Sequence, residues 1–564
     1  MKKDKNIKIF FNLGLFLILS FFIFPNISEA ATSVSQYGIT WNFDGDYPVG
    51  QYANGDYWVV GPVRIISITP DFDGSHHGWM VNMSGLSQGY DSRSSGFNAS
   101  LVPSLPYSAQ PGDAIIKAVS TEPFDISPRP VLKTTAVLTV VGNIPPDNGR
   151  SVFRPSFFGT DRTMHLVDEI NPALLPSITP PVGVTGPSLD WVKTRFKMMQ
   201  LDIDSCCSSE NLRAVDNFCE GVASHACSYG GRVALDNGDG ALRLMLNDSY
   251  EEKEEALIYY IQFGLDLYYQ MKQGIKWYPN GGHGSGRKLP IIFTGILLEN
   301  EEIKNAVKSV TKEAGDSSIF QEDGFLYRGY NNTSLFGSGG NYWTNVVTDY
   351  DSRTSKDPYG YIDGGHVPGT SYQEGINSMI WKGPVMAIKF MPEAEIIWDN
   401  WLFEEYVNRW VYYGAWAQPD PCAPVMGYCI GGSNPGRVCT YADHSVCGTG
   451  GKCAGGICPS GDYAGQPCGA GVGPDGAGGC GGVRCTNYGA DFWQVTFGPD
   501  PDNLGDCIRD LDPSDGIGRF PAENALRANS GTYQSGFVNA LWDEYYEDYQ
   551  ISIPPANPTN LTVF

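Results

Sequence analysis

Near residue 145 the spacing of apolar side chains changes from alternate residues to every third or fourth, and a chain that changes period in this way builds sheet first and helix afterwards. Before the change, YGITWNFD, DYWVVGPVRIISITP, GWMVNMS, AIIKAVS and VLKTTAVLTVVG are short runs rich in Val, Ile, Thr, Tyr and Trp, separated by Gly, Pro, Asp and Ser. They predict a small antiparallel sandwich or jelly-roll over residues 31–145. Asn143–Arg150, with two prolines and Asn-Gly, reads as a linker. Beyond it, Leu257, Ile261, Leu265 and Tyr268 recur at helical spacing, so a long helix is expected from Tyr250 to Gly274. Further helices are expected at Lys288–Leu298, from an Asn300 cap to Lys312, at Ser371–Phe390 and Ile396–Tyr413, and at Phe537–Tyr549.

The first thirty residues fix the expected compartment. Lys2, Lys3, Lys5 and Lys8 precede an apolar run from Ile9 to Phe24, and Ser28-Glu29-Ala30 offers small residues before Ala31. This is the pattern of a secretory signal peptide over residues 1–30, and the run is short for a membrane span of about 20 residues. The expected mature protein is secreted and has no membrane partner. That segment holds four Lys and two acids, so its removal takes the net charge from −24 to −26. Such an acidic chain is a poor match for nucleic acid, whose phosphates call for clustered cations. Its oligomeric state cannot be read from the sequence.

Export makes disulfides the expected state of the 14 cysteines. Nine lie between Pro421 and Tyr488, where Cys429-x9-Cys439 recurs as Cys458-x9-Cys468 about 29 residues on. No close C-x2-C pair occurs there, which disfavours zinc. Nine is odd, so one cysteine pairs outside the segment or stays free, and Cys507 is the nearest candidate. Cys206, Cys207, Cys219 and Cys227 form a second group. The final residues IPPANPTNLTVF look like a linker and the start of a truncated fibronectin type III domain.

Two segments concentrate groups capable of chemistry. Trp277-Tyr278-Pro279-Asn280-Gly281-Gly282-His283-Gly284-Ser285-Gly286-Arg287-Lys288 combines four glycines with a His, an Arg and a Lys between two expected helices. It is not a phosphate-binding P-loop, and its plain reading is a helix-start turn with a structural His. The second is Tyr359, Tyr361, Asp363, His366, Tyr372, Gln373 and Glu374, whose plain reading is a Gly-rich surface loop. Tyr342 and Trp343 lie between them, as do Glu322 and Asp323, an acid pair expected to be solvated. The acidic turns Asp71–Gly74, Asp236–Gly240 and Asp510–Gly516 bring carboxylates together without completing an EF-hand. Asp510, Asp512 and Asp515 stand as weak calcium candidates, and no other cofactor is expected. HExxH and CxxCH are absent, which removes the usual support for zincins and c-type haem.

WYPNGGHGSGRKLPIIFTGILL, SYQEGINSMIWKGPVMA and WDNWLFEEYVNRW resemble segments of exported bacterial α/α-toroid proteins, similar in architecture to polysaccharide lyases and six-hairpin glycosidases. The resemblance spans roughly residues 150–550, and ITWNFDGDYPVGQYANGDYWVVGPV resembles their accompanying β module. It implies an N-terminal β-sandwich followed by an all-α toroid over 146–421 and 489–550, interrupted by the Cys-rich insertion at 422–488, with residues 551–564 as the tail. Chemistry and resemblance together suggest cleavage of an acidic polysaccharide by β-elimination. His283 or Tyr372 would take the C5 proton, Arg287 or Lys288 would neutralise the uronate, and Tyr342 or His366 would assist the leaving group. Trp277, Tyr278, Asn280, Trp343, Tyr361, Asp363 and Glu374 would hold the sugar. Hydrolysis by two carboxylates from Asp323, Asp363 and Glu374 is one alternative, and a non-catalytic polysaccharide-binding or adhesion protein is the other.

Overall fold

A computed structural model describes residues 29–125, 131–199, 201, 230–279, 283–310, 318–328, 334–336, 378–413, 427–435, 438–439, 445–454, 456–457, 460–464, 467–468, 486–487 and 535–546. Eight strands come first: β1 (Glu29–Gln36), β2 (Ile39–Gln51), β3 (Tyr57–Val60), β4 (Val63–Thr69), β5 (Trp79–Val81), β6 (Tyr107–Ala109), β7 (Ala114–Ser120) and β8 (Leu132–Val141). They form one sheet in the order β5-β7-β8-β3-β2-β4-β6, with β1 paired on β2. The sheet curls into a half-barrel, so the expected sandwich or jelly-roll is replaced by a single layer folded on itself. All its pairings are antiparallel except β3 on β8, where Tyr57 faces Leu138 and Val60 faces Val141. Strand β1 starts two residues before the expected cleavage point, with Glu29 opposite Val49.

Alternation along the strands explains both layers of the core. Ile115, Ala136, Leu138 and Val140 join Trp41, Phe43, Val59 and Ile65 in the hollow of the curl. Their neighbours Ile116, Ala118 and Val137 face the other way and pack with residues of the helical region. Strands covered on both faces read as nearly continuous apolar runs, as AIIKAVS and AVLTVV do.

The helices are α1 (Leu189–Phe196), α2 (Gly230–Leu244), α3 (Tyr250–Lys272), α4 (Lys288–Leu297), α5 (Glu301–Lys308), α6 (Gln321–Gly324), α7 (Lys382–Phe390), α8 (Pro392–Trp398), α9 (Trp401–Tyr413) and α10 (Gly536–Tyr545). A two-stranded ribbon, β9 (Leu326–Arg328) with β10 (Ser334–Phe336), follows α6. Helix α3 matches its expected span and starts with a reciprocal cap. The Ser249 hydroxyl accepts from the Glu252 amide, and the Glu252 carboxylate accepts from the Ser249 amide. Asn300 caps α5 as expected, although the helix ends at Lys308 rather than Lys312. None of the described helices is long and apolar enough to cross a membrane.

The all-α toroid expected for this region is overturned. Phe196, Tyr260, Ile292 and Trp381 share one buried cluster with Met80, Ile116 and Val137 of the sheet and Tyr90 of the β5–β6 connection. Among the described residues the helices therefore cover a β layer instead of closing on one another as a ring.

Helix α2 was expected as an acidic turn, Asp236–Gly240, and is instead a fifteen-residue helix. Its glycines are packing sites. A Cβ on Gly238 would lie 3.3 Å from the Gly383 Cα, and one on Gly240 would lie 2.7 Å from the Phe196 ring. Asp236 is wholly buried between Arg195 (3.5 Å) and Arg232 (3.1 Å), a placement for a paired carboxylate rather than a solvated calcium ligand.

The expected linker is packed too. Trp58 Nε1 donates to the Asn148 carbonyl at 3.1 Å, and a Cβ on Gly149 (φ +90°) would lie 2.4 Å from the Gln51 carbonyl oxygen. Four residues on, Arg154 ties the sheet to α3. Its Nε donates to Asp56 Oδ2 at 2.6 Å, and its Nη2 donates to both oxygens of Asp266 at 2.6 and 2.5 Å. Gln262 holds its backbone, accepting from the Arg154 amide and donating to its carbonyl. Burial works against the guanidinium charge, but Asp266 and Asp56 outweigh it and hold the Arg154 proton more tightly than usual.

Candidate functional site

The loop that joins α3 to α4 is clamped by the segment leading into α6. Trp277 donates its amide to the Ile319 carbonyl at 2.7 Å and stacks on Phe320. Gly284 N–H donates to Gln321 Oε1 at 3.0 Å, and Gly286 N–H donates to Glu322 Oε1 at 2.5 Å. Gly286 adopts φ +97° and lies so close to α2 that a Cβ would sit 2.4 Å from the Ala234 Cα. Asn237 donates to its carbonyl, and Trp381 Nε1 donates to Ser285 Oγ at 2.8 Å. The turn is thus held by donors and acceptors from three other segments.

Its two cations point inward. Arg287 is fully buried, with Nη1 donating to the His283 and Ser285 carbonyls. Lys288 is fully buried as well. Its Nζ donates to Asp323 Oδ1 (2.7 Å) and Oδ2 (2.9 Å) and to the Trp398 carbonyl (3.0 Å), and lies 4.5 Å from the Trp398 ring centroid. Asn400 adds a 2.8 Å bond to Asp323. The expected solvated pair Glu322-Asp323 is therefore corrected: both side chains are enclosed, because Asp323 answers Lys288 and Glu322 answers a backbone amide. Both cations are thus enclosed, with Lys288 Nζ bonded to Asp323 and the Trp398 carbonyl and Arg287 Nη1 bonded to two carbonyls of its own loop.

Of the residues expected to hold or transform a substrate, the structure brings together Trp277, Tyr278, His283, Arg287, Lys288 and Asp323. Tyr278 and His283 are half-buried. Asn280, Tyr342, Trp343, Tyr359, Tyr361, Asp363, His366, Tyr372, Gln373 and Glu374 lie outside the described residues, as do Asp510, Asp512 and Asp515. Among the described residues no three His, Cys, Asp or Glu side chains converge as metal ligands. The Asp71–Gly74 turn is closed by itself. Burial opposes the Asp73 charge, but bonds from His76 and from the amides of Ser75 and His76 together outweigh it and pull its carboxyl down to about 2.

Glu322 is the perturbed acid of this region. Burial pushes it up to about 7, and its Oε2 has no hydrogen-bond partner. An acid whose folded value lies above its ordinary one stabilises the fold fully below the ordinary value and loses that contribution as pH rises through the folded value. Asp239, raised by burial to about 7, acts in the same direction. Stability is therefore expected to fall between about pH 4.5 and pH 7. Glu322→Gln, which keeps the acceptor for Gly286, is expected to recover on the order of 3 kcal/mol at pH 8. Denaturant midpoints measured across pH check this, and parallel profiles for the two proteins would refute it.

Sequence reasoning missed a second constellation. His165 Nε2 lies 3.1 Å from the Tyr269 hydroxyl, and its Nδ1 lies 3.5 Å from Glu169 Oε2. That arrangement sets an imidazole between a phenol and a carboxylate. Burial first, then Asp161, raises Tyr269 to about 12, so its phenol is neutral. Lys272 beside it bridges Asp161 (3.0 Å) and Glu302 (2.8 Å). The signal was the spacing His165-x3-Glu169 within DRTMHLVDE.

A third feature was also missed, the single Lys within AIIKAVS. Lys117 is enclosed, donates to the His77 carbonyl, and is lowered by burial to about 7. No protein-family model, curated protein or solved structure matches this chain.

Proposed function

We propose that this is an exported protein that binds a carbohydrate polymer, without cleaving it through the Trp277–Lys288 loop. One observation carries the choice over catalysis: the cation pair expected to neutralise a uronate is enclosed, with Lys288 Nζ bonded to Asp323 and the Trp398 carbonyl and Arg287 Nη1 to the loop's own carbonyls. The leader-like first thirty residues and the aromatic content of 13% support an extracellular sugar ligand. A net charge of −24 favours a neutral polymer over a polyanion.

β-Elimination is the second reading, and the His165–Tyr269 pair is the observation in its favour, because it joins a base to a phenolic acid. Glu169, Asp161 and Glu302 crowd that pair around a single Lys272, which opposes an anionic substrate. The test is a panel of neutral and uronic polymers. Retardation in polymer-containing native gels, with neither near-ultraviolet absorbance from unsaturated uronate nor new reducing ends, is the expected result. Unsaturated product would establish the lyase, reducing ends alone would establish hydrolysis, and absence of retardation on every polymer would remove the binding reading.

A further inference from the structure

Six short strands organise the Cys-rich segment into two small sheets. In the first, β11 (Gly427–Ile430) is central, between β12 (Val438–Cys439) and β13 (Lys452–Ala454). In the second, β14 (Gly456–Ile457) is central, between β15 (Pro467–Cys468) and β16 (Thr486–Asn487). The registers repeat. Gly427 pairs with Cys439 and Tyr428 with Val438; 29 residues on, Gly456 pairs with Cys468 and Ile457 with Pro467. The sequence repeat is therefore a repeat of strand pairing. Strands this short bury little apolar surface, a size at which covalent staples commonly replace hydrophobic burial.

The register also brings cysteines face to face. Cys429 and Cys453 are direct partners across β11 and β13. Opposed Cα atoms in antiparallel strands lie about 4.5–5.5 Å apart, within the roughly 4.4–6.8 Å that a disulfide spans. Cys447, wholly buried, is disulfide-bonded. Once Cys429 and Cys453 are paired, Cys439 is the cysteine left within the unit to pair with Cys447.

We propose that the first unit is closed by two nested disulfides, Cys429–Cys453 enclosing Cys439–Cys447. Each bond forms as two thiols pass two protons and two electrons to a disulfide donor, which is reduced to its dithiol. That step rests on the exported reading of the chain.

Tryptic cleavage at Arg437, Lys452 and Arg484 makes the pairing readable in full-length protein recovered from an oxidising compartment, alkylated and digested without reduction. The peptide spanning 438–452, which holds Cys439 and Cys447, is expected as a single internally bridged species two hydrogens lighter than its reduced form. The Cys429 peptide is expected to be joined to the 453–484 peptide through Cys453. Any link from 438–452 to another peptide would overturn the nested order while leaving export intact. Full alkylation of all the cysteines would overturn both the pairing and the oxidising compartment on which it rests.

Discussion

Arg154→Ala is expected to destabilise the protein by about 3–5 kcal/mol, because it leaves two carboxylates enclosed with no counter-charge. Asp56 would keep only its bonds from Gln36 and Asn54, and Asp266 only the 3.2 Å bond from Gln262. Arg154→Lys is expected to fall well short of wild type. A single ammonium cannot reproduce a guanidinium that reaches Asp56 from Nε and both oxygens of Asp266 from Nη2. Combining Arg154→Met with Asp56→Asn and Asp266→Asn removes the stranded charges and is expected to restore part of the loss. Chemical unfolding of the three proteins checks the order. Arg154→Ala within about 0.5 kcal/mol of wild type would show that the junction is held by its apolar contacts alone.

Lys288→Met carries the second large effect. The single variant strands Asp323, which is fully enclosed and retains only Asn400 among its hydrogen-bond donors. A loss of about 3–5 kcal/mol is expected, and Lys288→Met with Asp323→Asn should regain most of it. The same pair of variants separates a structural lysine from a ligand-neutralising one. A structural Lys288 makes polymer binding track the folded fraction. A protein that unfolds like wild type yet loses ligand would return this lysine to the binding surface.

What could be read in the sequence depended on how far apart the interacting partners lie. Helix α3 was legible because its apolar spacing is local, and the β runs were legible for the same reason. The curl and the parallel β3–β8 pairing were not, since Tyr57 and Leu138 stand 81 positions apart. Helix α2 was hidden by its own composition. DNGDG has poor helix propensity, and only the approach of Gly383 and Phe196 makes its glycines an advantage. Glu322-Asp323 looked solvated because the answer to Asp323 is Lys288, 35 residues earlier, and nothing near the acids announces it. In the candidate loop, Gly284 and Gly286 serve contact with the α6 segment and α2.

Strands β7 and β8 are covered on both faces, and the second cover comes from chain made later. When a ribosome has released the curl, Met80, Tyr90, Ile116 and Val137 still await Phe196, Tyr260 and Trp381. The first 145 residues are consequently half of a folding unit. A gene fragment that ended there would encode a sheet with one greasy side, and recombination could not graft it onto a new partner without repainting that side.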